Sequence, residues 1–231
     1  MDRLTFGSRG FLRGAALAFM VATVPMAIPA YAAEGDRPVV DEGAADANFA
    51  VARAAIVAAL RLGDTDAVAT YADEAILLDF GGGSGRDGFA NRLKSGVKNG
   101  LTGDEYRAAL EEALMFGGRF TAPDIFEAPF TFTEPLPEDL DAFDANFVLG
   151  SDVPVHAAPS ENSEIVGTVS FELVRYNETA EGNDAFMPIR SDDGRVSGFV
   201  AVEHLKSPLD HRAIFEKKDG RWVMTAFVAG D

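Results

Sequence analysis

Apolar positions along this chain change texture as it proceeds. Ala15 to Val24 is small and apolar throughout, apart from Thr23. Nine alanines then fall between Ala44 and Leu60, and alanine is the best helix former. Phe49, Ala52, Ile56 and Leu60 mark one face at helical spacing, so the pattern predicts a helix over 44–62 that Gly63 stops. Asp64 or Thr65 caps a second short helix through Tyr71. Ile76-Leu77-Leu78 centres a strand over 75–80, followed by the glycine-rich turn Gly81 to Gly85. Helices are expected over 86–98 and 103–116, and Thr102 followed by Glu105 has the spacing of a capping box. Arg119 to Thr133 holds one or two short extended pieces around Pro123 and Pro129. After an acidic, proline-containing stretch the texture becomes short β-prone runs: 147–149, 153–159, 165–171, 186–190 and 197–202. The last segment has two β-prone runs flanking Asp219-Gly220, the strongest short hairpin signal.

The N-terminal apolar run has the layout of an address. Arg3, Arg9 and Arg13 precede it, Pro25 and Pro29 break it, and Ala30-Tyr31-Ala32 offers small residues where a signal peptidase reads. Residues 1–32 are read as a secretory signal and 33–43 as a flexible lead-in. No other stretch is long and apolar enough to span, so no stable membrane insertion is expected after cleavage, and the location expected is periplasmic or secreted.

The 231 residues carry 37 acids and 20 Lys+Arg, a formal net charge of −17. Cleavage would remove one acid and three bases, leaving 36 against 17. Phosphate recognition needs a cationic surplus, so nucleic acid is excluded as a partner. With no cysteine in the chain, disulfides, thiolate metal sites and cysteine nucleophiles are excluded together. The three histidines are His156, His204 and His211, which leaves 33–148 without a histidine-based metal site or triad. No cofactor and no metal are expected. Gly83-Ser84-Gly85-Arg86-Asp87-Gly88 spells a dinucleotide-binding glycine pattern, but the helix expected over 103–116 takes the place of the second parallel strand that the motif requires.

The stretch Ile56 to Leu77, with Gly63-Asp64, Asp66-Ala67-Val68-Ala69 and Tyr71-Ala72-Asp73, resembles the opening of the nuclear-transport-factor-2-like family, and Gly85-Arg86-Asp87-Gly88-Phe89 resembles the start of that family's third helix. The resemblance covers about forty residues. It implies helices folded over a curved sheet that closes a pocket. It also implies a role for Asp79, which falls where the family's ketosteroid isomerases keep their general base. Their oxyanion donor is a tyrosine on the first helix, and the matching residue here is Ile56, which donates no hydrogen bond. Asp79 therefore stands as a weak catalytic candidate, a ligand contact, or a strand-ending residue that caps the glycine turn.

Val153 to Pro159, Ile165-Val166-Gly167-Thr168, Gly198-Phe199-Val200 and His204-Leu205 resemble the successive motifs of the bacterial SH3-like domain over about 55 residues. Two polar positions of that pattern depart, at Pro154 and His156. The family docks proteins on cell-wall peptides, glycans or protein partners. By that resemblance Tyr176, Phe186, Phe199, His156 and His204 are the ligand-binding candidates; at strand spacing such aromatics are more often core than groove lining. The hairpin ends in an "acid-Gly-Arg-Trp" pattern similar to that of nuclear-transport-factor-2-like chains, and the whole arrangement resembles a group of alphaproteobacterial exported SH3-domain-containing proteins.

The fold class expected is α+β: a helical/α+β N-terminal domain over 44–133, completed by the hairpin 209–231, an acidic linker over 134–146, and a small SH3-like β-barrel over 147–206. The function expected is a non-enzymatic periplasmic binding or scaffold protein whose SH3-like module docks on a cell-wall component or a periplasmic protein. The alternative is a small-molecule or isomerase/hydrolase-like pocket around Asp79.

Overall fold

The computed structural model of the chain describes residues 39–82 and 85–230. The signal read over 1–32, the lead-in residues 33–38 and Gly83-Ser84 of the glycine turn lie outside the described residues. The protein is α+β, with two sheets and a few helices.

A short 3-10 turn (Gly43–Ala45) precedes α1 (Ala47–Leu62). The Asp46 carboxylate accepts from the Asn48 and Phe49 N–H groups at the start of α1, and Gly63 ends it in the left-handed region at φ 70°. Helix α2 (Thr65–Ala69) is capped by the Asp64 side chain. After β1 (Ala72–Leu77) come α3 (Arg86–Ser95) and α4 (Gly103–Met115). Thr102 and Glu105 form the expected reciprocal box at the start of α4. Then follow β2 (Arg119–Ala122), β3 (Ile125–Ala128) and the single turn α5 (Phe130–Thr133).

The first sheet is completed from the far end of the chain. The hairpin β11 (Arg212–Lys218) and β12 (Arg221–Val228) lies at its centre, in the order β1-β12-β11-β3-β2. Strand β12 runs parallel to β1, and β11 runs antiparallel to β3. Lys218 pairs with Arg221 across Asp219-Gly220, whose φ angles of 51° and 77° are those of a tight primed turn. Its central place explains why Trp222 to Val228 is apolar on both faces. Phe49 of α1 forms the aromatic hub beneath the sheet, with ring centroids 4.1 Å from Phe126, 5.3 Å from Phe215 and 5.2 Å from Trp222. Phe89, Leu93, Tyr106, Leu110 and Leu114 of α3 and α4 extend the same core.

The second sheet has seven strands: β4 (Ala145–Val148), β5 (Val153–His156), β6 (Ile165–Val169), β7 (Leu173–Tyr176), β8 (Phe186–Ser191), β9 (Ser197–Ala201) and β10 (Leu205–Lys206), in the order β10-β4-β7-β8-β9-β5-β6. Its core is mainly valine: Val148, Val153, Val155, Val169, Val174 and Val200 with Ile189. Among the described residues no strand pairing joins β10 to β6, so the sheet is open by its hydrogen bonds and the expected closed barrel is not found.

Three local readings change. The strand expected over 75–80 begins and ends three residues earlier, because pairing with β12 sets its register; Asp79 and Phe80 therefore lie beyond its end. The run over 165–171, read as a strand with a turn inside it, runs as a strand to Val169 and turns after it, where Phe171 adopts φ 44° with its side chain buried and β7 follows. The lead-in expected to be flexible is pinned over 39–43. Gly118 N–H donates to the Val40 carbonyl (2.9 Å), Glu42 N–H donates to the Gly118 carbonyl (3.0 Å), and Arg53 grips Asp41 with two bonds of 2.7 and 2.8 Å.

The acidic segment is packed as well. Leu140 is buried with Phe130, Ala145, Phe147 and Leu173, and Val39, Val40, Phe116 and Leu136 lie against them. This small cluster joins Ala145, Phe147 and Leu173 of the second sheet to Phe130 of α5, which follows β3 of the first. Beside it the buried Lys206 ammonium of β10 meets Glu112 of α4 at 3.1 Å and Asp210 at 3.2 Å.

Candidate functional site

Asp79 follows β1 by two residues, where the chain turns into the glycine loop. Its Oδ1 accepts from the Gly81 N–H at 2.9 Å, and its Oδ2 is ion-paired with Arg92 of α3. Arg92 also donates to the Leu78 carbonyl at 2.8 Å, which fixes its guanidinium across the end of the strand. The carboxylate is thus half-exposed, hydrogen-bonded and charge-compensated, as at a turn that caps itself. The local sequence explains this: an Asx residue two positions before a glycine forms such a turn, and Arg92 sits on the first face of α3 that reaches it.

Tyr106 of α4 carries a buried hydroxyl that feels the Asp79 and Arg92 charges. It is 1% exposed, and its O–H proton finds no acceptor among the described residues. Burial pushes the phenol up to about 12; the Arg92 charge and hydrogen bonding from Arg92 oppose this, and the Asp79 charge adds to it. Such a phenol is a hydrogen-bond donor, not a base. Its ring packs edge-on against Phe227 (5.1 Å) and His211 (6.2 Å). Burial holds the His211 imidazole below its usual range, helped by Lys206 and opposed by Asp210 and Glu112. Ile56, at the position of the isomerases' tyrosine, is fully buried among apolar neighbours. The hydroxyl that does approach Asp79 comes from α4.

On the second sheet the structure brings three of the five ligand candidates together, His156, Phe186 and Phe199, and leaves Tyr176 and His204 outside that group. His156 is buried, with its ring 5.5 Å edge-on from that of Phe186 and its Nδ1 3.4 Å from the Ser163 carbonyl. Phe186 is buried too, and Phe199 is half-buried opposite both His156 and Pro188. Tyr176 is exposed at the end of β7. His204 lies in the 3-10 turn Val202–His204, where its Nε2 is 3.8 Å from Glu203. No hydrogen bond, ion pair or ring contact joins His156 to His204. Among the described residues no group of three or more His, Asp or Glu side chains is placed to hold a metal, and no helix is long and apolar enough to cross a membrane.

Sequence reasoning missed Arg92, Tyr106 and His211. Tyr106 has the spacing of a core residue with Leu110 and Ala113, and nothing local marks its hydroxyl as a donor without an acceptor.

No family model and no curated protein matches the chain. Among solved structures it is similar to an NTF2-like protein with a cystatin-like fold from Novosphingobium aromaticivorans. That likeness has 12% identity, 81% of this chain, 80% of that chain and a TM-score of 0.29. It is also similar to a structure described as a calcium/calmodulin dependent protein kinase II association domain from Xanthomonas campestris, with 12% identity, 80% of this chain, 89% of that chain and a TM-score of 0.25. At these scores the overlap is loose, and the fold is described by its own strand pairings.

Proposed function

We propose that the chain is a non-enzymatic, exported binding or scaffold protein whose second sheet is a bacterial SH3-like module for cell-wall or protein ligands. The observation that carries this reading is the free side of β6. That strand ends the sheet, pairs only with β5, and presents Ile165 and Val166 at 57% and 46% exposure. An uncovered strand edge with apolar side chains is a template for an added extended segment. One carbonyl on β6, that of Thr168, is engaged by Arg195 at 3.3 Å; Ile165 and Val166 lie outside that contact. The resembling motifs also fall on neighbouring strands: Val153 to Pro159 opens on β5, Ile165 to Thr168 lies on β6, and Gly198-Phe199-Val200 lies on β9, which pairs with the other side of β5.

The test is co-sedimentation of the mature chain with purified peptidoglycan sacculi, beside an Ile165→Lys/Val166→Lys double variant that unfolds at the same denaturant midpoint. Retention of the parent and its loss in the variant are expected. Equal sedimentation of the two, or none of either, overturns the cell-wall form of the proposal.

A second reading, a small-molecule site near Asp79, is favoured by the buried Tyr106 hydroxyl, whose proton has no acceptor among the described residues and whose oxygen feels both charges of the Asp79–Arg92 pair. A ligand acceptor there would satisfy that hydroxyl.

A further inference from the structure

Arg212 opens β11 on the face of the first sheet turned away from α1, α3 and α4. Its neighbours Ala213 and Phe215 alternate with it: Phe215 packs on Phe49 of α1, and both belong to the helix-covered core. Alternation therefore sends Arg212 and Ile214 to the opposite face. There the guanidinium carbon lies 4.4 Å from the ring centroid of Phe132 in α5 and 5.8 Å from that of Phe80, just past β1. The half-buried Arg212 makes these two ring contacts and, among the described residues, no side-chain hydrogen bond and no ion pair. The other guanidinium groups with neither, those of Arg190 and Arg221, are exposed. In a chain with 37 acids against 20 bases, a half-buried cation left without a carboxylate is the exception.

Aromatic rings stabilise a guanidinium through its faces. They leave its N–H edge available to water or a ligand, and that edge is a fixed fork that matches a carboxylate in two parallel bonds. The surroundings narrow the ligand. Val228, directly opposite Arg212 in the hairpin, is buried, while Ile214, Val223 and the exposed Leu77 offer apolar surface along the same face. Phe80 is 56% exposed, so one wall of the site is open to solvent. Glu127, paired in register with Ile214, places a carboxylate on this face without bonding Arg212. One cation beside one anion suits a monoanion better than a phosphate dianion. We propose that Arg212, Phe80 and Phe132 form a receptor for a carboxylate carried on an apolar body. This site lies on another sheet than the β6 edge and on the opposite face of the first sheet from Tyr106, with Phe80 following Asp79 in the chain.

The experiment titrates the full chain with phenylpropionate and follows proton–nitrogen correlation spectra that include the Arg212 Nε–H. Phenylpropanol is the uncharged control and inorganic phosphate the small-anion control. Saturable shifts of Arg212 Nε and of the Phe80, Phe132 and Ile214 amides are expected with the carboxylate, and none with the alcohol. Arg212→Met abolishes them. Arg212→Lys, which keeps the charge and loses the fork, weakens binding roughly tenfold, the effect of one charge-assisted hydrogen bond; it also serves if the Met variant fails to fold. The proposal is overturned by any of three results: no saturable shift, equal shifts with phosphate, or unchanged binding by Arg212→Lys. It is also overturned if the shifts track protein concentration rather than ligand, which would mark the face as a contact between two copies.

Discussion

The Tyr106 hydroxyl is a buried donor without an acceptor, and such a group costs about 1–3 kcal/mol. Tyr106→Phe removes the oxygen and keeps the ring on Phe227 and His211. Urea unfolding should show the variant about 1 kcal/mol more stable; a loss of similar size would mean that the hydroxyl has a partner in solution. Asp46 gives the opposite case, a charge that the fold rewards. Its carboxyl is lowered to about 2, first by the hydrogen bond from the Lys217 ammonium and then by the Phe49 N–H. A depressed folded pKa means that the unfolded chain takes up the proton first. The stabilisation is therefore complete above the unfolded value of about 3.8 and disappears as the pH falls towards about 2. Asp46→Asn retains a capping side chain, so the fall in melting temperature between pH 4 and pH 2 should become shallower than in the parent. An unchanged slope would remove Asp46 from the acid response. Neither residue's role was legible in the sequence, since Tyr106 reads as one more core position and the partner of Asp46 is far along the chain in β11.

At the scale of elements, what could be read was local chemistry. The Thr102–Glu105 box and the Asp219-Gly220 turn stand where their spacing puts them, because each is decided within a few residues. Thr102→Ala should cost about 1 kcal/mol in denaturant unfolding; no loss would mean that α4 is held by packing alone. What could not be read was set at a distance. The bounds of β1 follow from a partner strand beyond residue 220. Strand β7 is not legible because Phe171 interrupts the apolar run with a positive φ, held by its buried ring and its N–H bond to the Gly150 carbonyl. Gly198 of β9 shows the same dependence. It reads as part of a Gly-Phe-Val motif, yet in the fold a Cβ there would stand 2.4 Å from the His156 carbonyl oxygen and 2.8 Å from a Val155 methyl. Gly198→Ala should therefore cost about 2 kcal/mol by forcing β5 and β9 apart, with the largest loss of amide protection at His156 and Phe199. An alanine variant as stable as the parent would show that the two strands can separate freely.

For the whole molecule, the change of texture after residue 133 invites a division into an N-terminal part and a β-rich part joined by a linker. The packing joins them more closely. Leu140, from the middle of the acidic segment, is buried with Phe147 and Leu173 of the second sheet and with Phe130, which follows β3 of the first. Lys206 of β10 is held by Glu112 of α4. Two leucines among five carboxylates do not announce a buried segment, because burial here is decided by surfaces that only the complete fold brings together. The consequence is cooperative unfolding. The single tryptophan, Trp222, reports on the first sheet, and amide exchange along β8 and β9 reports on the second. Both should give one transition with the same midpoint. Leu140→Ala removes a buried side chain from the shared cluster and should lower stability by about 2–3 kcal/mol. If the cluster couples the sheets, the Trp222 signal and the β8–β9 amides lose that stability together. If exchange accelerates in β8 and β9 while the Trp222 transition stays in place, the acidic segment is a tether after all and the two sheets unfold independently.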